Sequence, residues 1–282
     1  MAESFVLSYV QARPLLAAHT AGHERADLSL DLGLTSSQVG FSSDGVALPS
    51  GDTLAWSEVE RIARAENVCF IIEACAAREI RVFSDHTNWL RSLMPTSGAP
   101  TMLVSGIAMH RIKETEPHRD TLAKIATIAP FTGRVLDTAT GLGYTAIEAA
   151  RTADEVITVE LDPAGLEVAR LNPWSRDLFV NPRIHQIIGD VCEEILKFPD
   201  QAFDRIVHDP PMFTLAGELY SGAFYAQLKR VLRRKGRLFH YIGDPDSQSG
   251  RRTTAGVMRR LRETGFTRVI RHPEAFGVVA LP

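Results

Sequence analysis

Four acidic residues each follow an apolar segment in the second half of the chain. They are Asp137 in GRVLDTAT, Glu160 in EVITVELD, Asp190 in RIHQIIGDV and Asp209 in FDRIVHD. Each segment has the length and the β-branched content of a buried strand. Because ligands bind beyond the carboxyl ends of the strands in a parallel sheet, we predict that these carboxylates line a single site.

The glycine-bearing segment DTATGLGYTA follows the first of these strands and leads directly into a predicted helix. Gly141 and Gly143 let the backbone approach a ligand closely, and the start of a helix presents backbone N–H groups. Glu160 comes about 20 residues after the turn, where a carboxylate can accept hydrogen bonds from both hydroxyls of a ribose. Asp190 can hold the exocyclic amine of an adenine. The pattern therefore favours a ligand that contains a nucleoside.

Asp209 stands directly before Pro210 and Pro211, in the segment FDRIVHDPPMF. A proline lacks an N–H group, fixes its own φ and keeps the preceding residue extended. One interpretation is a simple strand stop. The other is a rigid rim whose carboxylate and carbonyls accept the hydrogens of a substrate amine. His208 points to the opposite side of the strand from Asp209 if the strand stays regular to its end, so we interpret it as a packing or supporting residue, with a role as a base as the alternative.

Strands alternate with helices from residue 105 onwards, and the end of the chain, FTRVIRHPEAFGVVALP, adds two short strands. This alternation predicts an α/β fold with a mostly parallel, seven-stranded sheet covered by helices on both faces. The first hundred residues contain period-two patterns and Gly-bearing turns, which predict a small β-rich α+β domain. Ser57 is predicted to cap a helix there. We expect domains over residues 1–104 and 105–282.

Residues from about 105 to 282 resemble the class I S-adenosylmethionine-dependent methyltransferases, which have a Rossmann-like fold. The segment DTATGLG is similar to their first motif, with Ala139 where a glycine is more usual. The resemblance implies S-adenosyl-L-methionine as cofactor. It places this motif at the methionine portion, Glu160 at the ribose and Asp190 at the adenine. The implied residues of the motif are Asp137, Ala139, Gly141 and Gly143.

The segment DPPMF resembles the Asp/Asn-Pro-Pro-aromatic motif of methyltransferases that act on amino groups. By this resemblance Asp209, Pro210 and Pro211 are catalytic, and the aromatic Phe213 comes one place late. His240 and Tyr241 follow the fifth strand and are further candidates to face the substrate. The implied reaction is methyl transfer to an amine nitrogen of a nucleobase, a protein or a small amine.

A second resemblance is to the spermidine synthases, which use decarboxylated S-adenosylmethionine. It rests on VELD, IIGD and LAGELYSGAFYAQLKRVLRRKGRL. The glycine turn lacks the internal acid of that family, and Pro210 and Pro211 replace its second acidic stretch. Methyl transfer is therefore favoured over aminopropyl transfer. A cofactor-binding module without catalysis is a third interpretation, and the presence of Asp209 argues against it.

The bulk composition is typical of a globular protein: 282 residues, 45% of them apolar, with a net charge of −3. No apolar run approaches the ~18 residues that a membrane span needs. The three cysteines lack CxxC spacing, so we expect a cytoplasmic protein without a disulfide framework or a metal site. Residues 229–271 hold thirteen Lys or Arg against three acids. This region favours either a nucleic acid partner or two solvated helix faces, and a homodimer is left open.

Overall fold

The computed structural model describes residues 5–212 and 216–282. The chain forms two compact units. One contains the chain up to His118 together with Ala164–Arg176, and the other contains Arg119–Pro163 and Asp177–Pro282. The domain boundary expected between residues 104 and 105 stays a prediction. None of the described helices is both long enough and apolar enough to cross a membrane.

Residues 5–108 of the first unit form three small antiparallel sheets and two helices, so the prediction of a β-rich α+β fold in this part is confirmed. The sheets have the strand orders β1-β6-β7, β2-β3-β4-β5 and β11-β10-β9-β8. The elements are β1 Phe5–Leu7, α1 Tyr9–Thr20, β2 Arg25–Leu28, β3 Ser37–Phe41, β4 Gly45–Ala47, β5 Thr53–Ala55, α2 Trp56–Arg64, β6 Phe70–Glu73, β7 Ala76–Glu79, β8 Arg81–Ser84, β9 Trp89–Met94, β10 Thr101–Val104 and β11 Ile107–Ala108.

The two helices within residues 5–108 begin differently. Ser8 caps α1 in a capping box with Gln11, which satisfies backbone N–H groups at both residues. The predicted cap at Ser57 is wrong, because α2 starts at Trp56 and Ala55 is its N-cap. Ala55 still pairs with Gly45 in the sheet, and the Trp56 amide donates to the Asp44 carbonyl, so the strand leads straight into the helix.

The second unit is organised around one seven-stranded sheet, as predicted. Its order is β14-β13-β12-β15-β16-β18-β17, and the first five strands run parallel while β18 and β17 join antiparallel. Its strands are β12 Arg134–Asp137, β13 Glu155–Glu160, β14 Ile184–Ile188, β15 Phe203–His208, β16 Leu232–Tyr241, β17 Arg268–His272 and β18 Gly277–Leu281. The helices from residue 117 onwards are α3 Pro117–Ala126, α4 Tyr144–Ala150, α5 Pro163–Arg170, α6 Arg176–Val180, α7 Val191–Lys197, α8 Gly222–Val231 and α9 Gln248–Glu263. Of these, α5 from Ala164 onwards belongs to the first unit.

The strand order reverses at β12. From this strand the chain builds β13 and β14 on one side, then returns to build β15 and β16 on the other. Asp137 lies opposite Val207 in the register of β12 and β15, two residues before Asp209. Because a crevice forms at such a switch point, the topology brings the end of β12 and the end of β15 to the same place.

Candidate active site

Asp137 is the most deeply buried of the four acids. Its Oδ2 accepts hydrogen bonds from the hydroxyls of Thr145 at 3.1 Å and Thr158 at 2.9 Å. Its Oδ1 is buried and has no hydrogen-bond partner in the described part of the chain. Burial raises the pKa of Asp137 to about 7, against the two threonine hydrogen bonds and with a smaller contribution from the charge of Asp209. A buried acceptor without a partner costs free energy, which a ligand donor at Oδ1 would recover.

We expect Asp137→Asn to change how stability depends on pH. Between about 4 and 7 the folded protein keeps Asp137 protonated, whereas the unfolded chain has lost that proton. The wild-type free energy of unfolding therefore falls as pH rises through this window, by up to about 1.4 kcal/mol per pH unit from this group. Urea unfolding at pH 5, 6 and 7 measures the free energy of unfolding of both proteins. As pH rises, the value for the variant minus the value for the wild type should increase. Parallel pH dependences would show that Asp137 is already ionised in the folded state.

The turn after β12 needs both of its glycines. Gly141 and Gly143 have φ of +52° and +76°, and Gly143 is the N-cap of α4. A Cβ on Gly143 would lie 2.6 Å from Leu178, whereas a Cβ on Gly141 would meet nothing within 4 Å. Gly141 therefore leaves open space beside the backbone. The turn is a poor anion site, because the amides of Thr138, Thr140, Gly141 and Gly143 donate to acceptors inside the protein.

Glu160 links the end of β13 to this turn. Its Oε2 accepts from the Gly141 amide at 2.8 Å and its Oε1 accepts from the Asp162 amide at 3.0 Å. A carboxylate oxygen can accept more than one hydrogen bond, so this arrangement aims the group without exhausting it. The sequence predicts Glu160 at a ribose. The structure places its carboxylate beside the glycine turn, and the ribose contact stays a prediction.

We expect Glu160→Gln to weaken binding of S-adenosylmethionine by roughly tenfold to a hundredfold. The amide keeps one acceptor oxygen for the turn but loses the charge, and hydrogen bonds to charged groups contribute about 1.5–3 kcal/mol. Calorimetric titration measures the effect, and Glu167→Gln on the exposed surface of α5 is the matched control. Equal affinity in the wild-type protein and a folded Glu160→Gln variant would remove Glu160 from the binding site.

Asp190 is exposed at the end of the segment that follows β14 and is the N-cap of α7. Its Oδ1 accepts from the Cys192 amide at 2.8 Å. This capping bond fixes the Asp190 side chain at the carboxyl edge of the sheet. The segment before it is joined to the end of β13, because the Gly189 amide donates to the Glu160 carbonyl. The adenine contact remains a prediction.

Asp209 is held by a buried lysine that the pattern of acids at strand ends does not predict. Lys124 Nζ lies 2.7 Å from Asp209 Oδ2 and 2.8 Å from Asp120 Oδ2. The Lys124 side chain is 2% exposed and Asp120 is fully buried, whereas Asp209 keeps 19% of its side chain exposed. Asp209 Oδ1 has no hydrogen-bond partner among the described residues.

Burial and ion pairing shift the pKa values of this network in opposite directions. Burial raises the pKa of Asp209, and Lys124 partly offsets that rise. Burial lowers the pKa of Lys124, but Asp209 and Asp120 more than compensate, so its pKa lies above its usual value. Lys124 is therefore a permanent cation at neutral pH and does not act as a base.

Hydrogen bonds from buried side chains hold the segment of residues 209–211 in place. His208 is fully buried, with Nδ1 2.7 Å from the Thr138 hydroxyl and Nε2 3.0 Å from the Leu219 carbonyl. Burial lowers the pKa of His208 to about 4, so the ring is neutral, donates from Nε2 and accepts from Thr138. The Tyr220 hydroxyl donates to the Pro211 carbonyl at 3.1 Å. Both nitrogens of His208 are thus committed to fixing the strand end next to Asp209.

The three predicted substrate-contacting residues differ in their surroundings. His240 is fully buried, 4.4 Å from His208 between ring centroids, and its Nε2 meets the Tyr225 hydroxyl at 2.8 Å. Tyr241 is half-buried, and its ring centroid lies 4.4 Å from Lys124 Nζ. Phe213 lies outside the described residues. Contact of these three residues with a substrate remains a prediction.

Some cations of the basic region 229–271 pair with groups within the protein. Arg230 pairs with Asp200 at 2.8 Å, Arg233 pairs with Asp204 at 2.7 Å, and Arg260 donates to the Tyr220 carbonyl. Other cations of the region are exposed, among them Arg251, Arg252, Arg259, Arg262 and Arg268. The nucleic acid partner stays a prediction.

Comparison with known proteins identifies the fold. A family model described as a methyltransferase domain matches residues 135–236. The spermidine synthase of Thermotoga maritima superposes with a TM-score of 0.56 at 19% identity, over 73% of this chain and 75% of that chain. A spermidine synthase solved with the transition-state analogue AdoDATO gives a TM-score of 0.58 at 19% identity over the same shares. The chain has the class I S-adenosylmethionine-dependent methyltransferase fold, in the form that resembles spermidine synthases.

The particular family is shown by a full-length relative. The chain is 41% identical over 281 residues to the protein named Uncharacterized protein MJ1233 of Methanocaldococcus jannaschii, covering 98% of this chain and 96% of the relative. It belongs to the same family as that protein. A polyamine aminopropyltransferase of Mycobacterium tuberculosis is 35% identical over 103 residues, which are 33% of this chain and 19% of the relative.

Proposed function

We propose that this protein transfers the methyl group of S-adenosylmethionine to an amine nitrogen. The observation that carries the proposal is Asp209: an ionisable carboxylate at the switch point of the sheet, with 19% of its side chain exposed, Oδ2 held by Lys124 and Oδ1 directed to no partner among the described residues. An acceptor of this kind suits the N–H group of a substrate.

The surrounding residues fit the donor. Asp137 Oδ1 is a buried acceptor that suits the amino group of the donor, and Gly141 leaves open space beside the backbone. Glu160 would accept from ribose hydroxyls, and Asp190 would hold the adenine. When bound, S-adenosylmethionine would supply a methyl group on a sulfonium sulfur: the amine lone pair forms a bond to the methyl carbon while the carbon–sulfur bond breaks, and the leaving group is a neutral thioether.

Asp209 contributes by orientation and charge. Its Oδ1 accepts an N–H hydrogen of the acceptor and so turns the nitrogen lone pair toward the methyl carbon. In-line displacement depends on this alignment, and positioned reactants gain several kcal/mol over free ones. The negative carboxylate also stabilises the positive charge that develops on nitrogen, and the proton leaves to Asp209 or to the water that reaches its exposed surface.

Aminopropyl transfer is the second candidate. It is favoured by the sequence match to a polyamine aminopropyltransferase and by the likeness in fold to spermidine synthases. It is disfavoured by the glycine turn, Thr138–Gly143, which contains no acid. It is also disfavoured by Lys124, which places a positive charge beside Asp209.

We expect S-adenosylmethionine to bind at least about tenfold more tightly than its decarboxylated form, a difference of about 1.4 kcal/mol. The decarboxylated donor carries an ammonium without its own carboxylate, so the protein must supply the countercharge. Asp137, with a pKa of about 7, is ionised in only part of the molecules at neutral pH and supplies that charge poorly. Calorimetric titration of both donors on one preparation measures this difference in affinity. Tighter binding of the decarboxylated form would support aminopropyl transfer instead.

A further inference from the structure

The charge around Asp209 constrains the kind of amine that the site accepts. Lys124 Nζ pairs with two carboxylates, at 2.8 Å from Asp120 Oδ2 and 2.7 Å from Asp209 Oδ2. Only Asp209 of the three has an appreciable exposed surface. A substrate therefore meets a carboxylate whose charge is already paired on its inner side.

An unpaired carboxylate at this position would hinder the transfer. It would bind an alkylammonium ion in preference to the neutral amine, and an ammonium nitrogen has no lone pair with which to attack a methyl carbon. A neighbouring cation reduces the attraction for a second cation, because the two positive charges repel each other within the same dehydrated network. The Asp209 Oδ1 can still accept a hydrogen bond from a neutral N–H group, which requires no countercharge.

We propose that Lys124 is a specificity-determining residue that makes the acceptor site select an uncharged amino nitrogen, of the conjugated or amide-like kind, over an alkylammonium. This inference rests on the proposed function and specifies its acceptor. The ring of Tyr241, whose centroid lies 4.4 Å from Lys124 Nζ, also attracts the cation. Under this assignment, aliphatic polyamines are excluded as acceptors.

The test is calorimetric titration with putrescine, a dication at neutral pH, on protein saturated with S-adenosylhomocysteine. For the wild-type protein we expect a dissociation constant above about 1 mM, which corresponds to less than about 4.1 kcal/mol of binding free energy. Micromolar binding of putrescine by the wild-type protein would overturn the proposal.

The second arm uses the double variant Lys124→Met/Asp120→Asn. The three groups have a formal charge of −1 in the wild type, from two carboxylates and one ammonium, and −1 in the variant, from Asp209 alone. The total charge is thus unchanged and only the pairing of Asp209 is lost. We expect at least tenfold tighter putrescine binding, a gain that a merely structural role of Lys124 would not produce. Unchanged or weaker binding in a folded variant would contradict the proposal.

The two proposals fail in distinguishable ways. Saturation with S-adenosylhomocysteine, followed in the same calorimeter, reports on the donor site and hence on the proposed function. Putrescine reports on the acceptor site alone. If the double variant does not fold, as judged from its urea unfolding curve, the wild-type titration still decides.

Discussion

Asp209→Asn is expected to bind S-adenosylmethionine as tightly as the wild-type protein and to lose transfer activity by about 10²–10⁴-fold in kcat/KM, the range typical of a positioned acid–base group. An amide offers one acceptor oxygen where the carboxylate offers two. Lys124 and the substrate N–H would compete for it, and the developing positive charge on nitrogen would lose its countercharge. The measurement is kcat/KM for the acceptor beside the calorimetric dissociation constant of the donor.

The matched control for this variant is Asp200→Asn. Asp200 also pairs with a cation, Arg230 at 2.8 Å, but its side chain is 74% exposed and lies away from the carboxyl edge of the sheet. We expect it to keep wild-type activity. Full turnover in Asp209→Asn would show that the Asp-Pro-Pro segment only ends the strand. A matching loss of donor affinity would place Asp209 in the donor site instead.

Lys124→Met is expected to lower the free energy of unfolding by about 3–5 kcal/mol at pH 7, since it leaves two buried carboxylates without their cation. The pKa of Lys124 is raised in the folded protein, so its contribution is fully present below the unfolded value of 10.5 and is lost only as pH rises above it. Urea unfolding measures the change. Lys197→Met removes an exposed pair with Glu194, 65% exposed on the lysine, and should cost below about 1 kcal/mol.

Two further readouts separate this network from ordinary packing. Adding Asp120→Asn to Lys124→Met should restore part of the lost stability, because it removes one of the uncompensated carboxylates.

In any Lys124→Met protein that retains activity, the acid limb of the pH–kcat/KM profile should move to higher pH. Lys124 normally lowers the pKa of Asp209, and its loss leaves burial to raise that pKa further. An unchanged acid limb would show that Lys124 does not influence the ionisation of Asp209.

The sheet could be predicted from the sequence because its strands are continuous apolar runs that end in recognisable residues. Phe203–His208 is almost entirely buried, and the acid that follows it is where the pattern predicts. Boundaries were harder. No Gly or Pro follows Val231 before Gly236, yet α8 ends at Val231 and Leu232 starts β16 by pairing with Phe203. That pairing is a contact over 29 residues of chain and leaves no local signal.

Lys124 could not be found from strand ends, since it lies on a helix. The segment HRDTLAK does contain a signal: Asp120 and Lys124 are four residues apart, on one helix face. Such pairs are common on solvated surfaces, and only the packing of α3 shows that this one is buried. The threonines around Asp137 are similar, because Thr145 and Thr158 meet its carboxylate only after β12, β13 and α4 have assembled.

Glu160 illustrates the opposite case. Its position after a strand and about 20 residues beyond a glycine turn is a local pattern with a physical cause. The structure adds what the pattern does not contain, namely the bonds from the Gly141 and Asp162 amides that hold the carboxylate in place.

The central claim is tested most directly by identifying the nucleoside that the protein releases. The protein is incubated with equal amounts of S-adenosylmethionine and its decarboxylated form and a mixture of acceptors: nucleosides, RNA, peptides and polyamines. The products are separated by mass spectrometry, with Asp209→Asn as the blank. Methyl transfer predicts S-adenosylhomocysteine that depends on Asp209, together with a methylated amine. Release of 5′-methylthioadenosine with an aminopropylated polyamine, and no S-adenosylhomocysteine, would contradict the account.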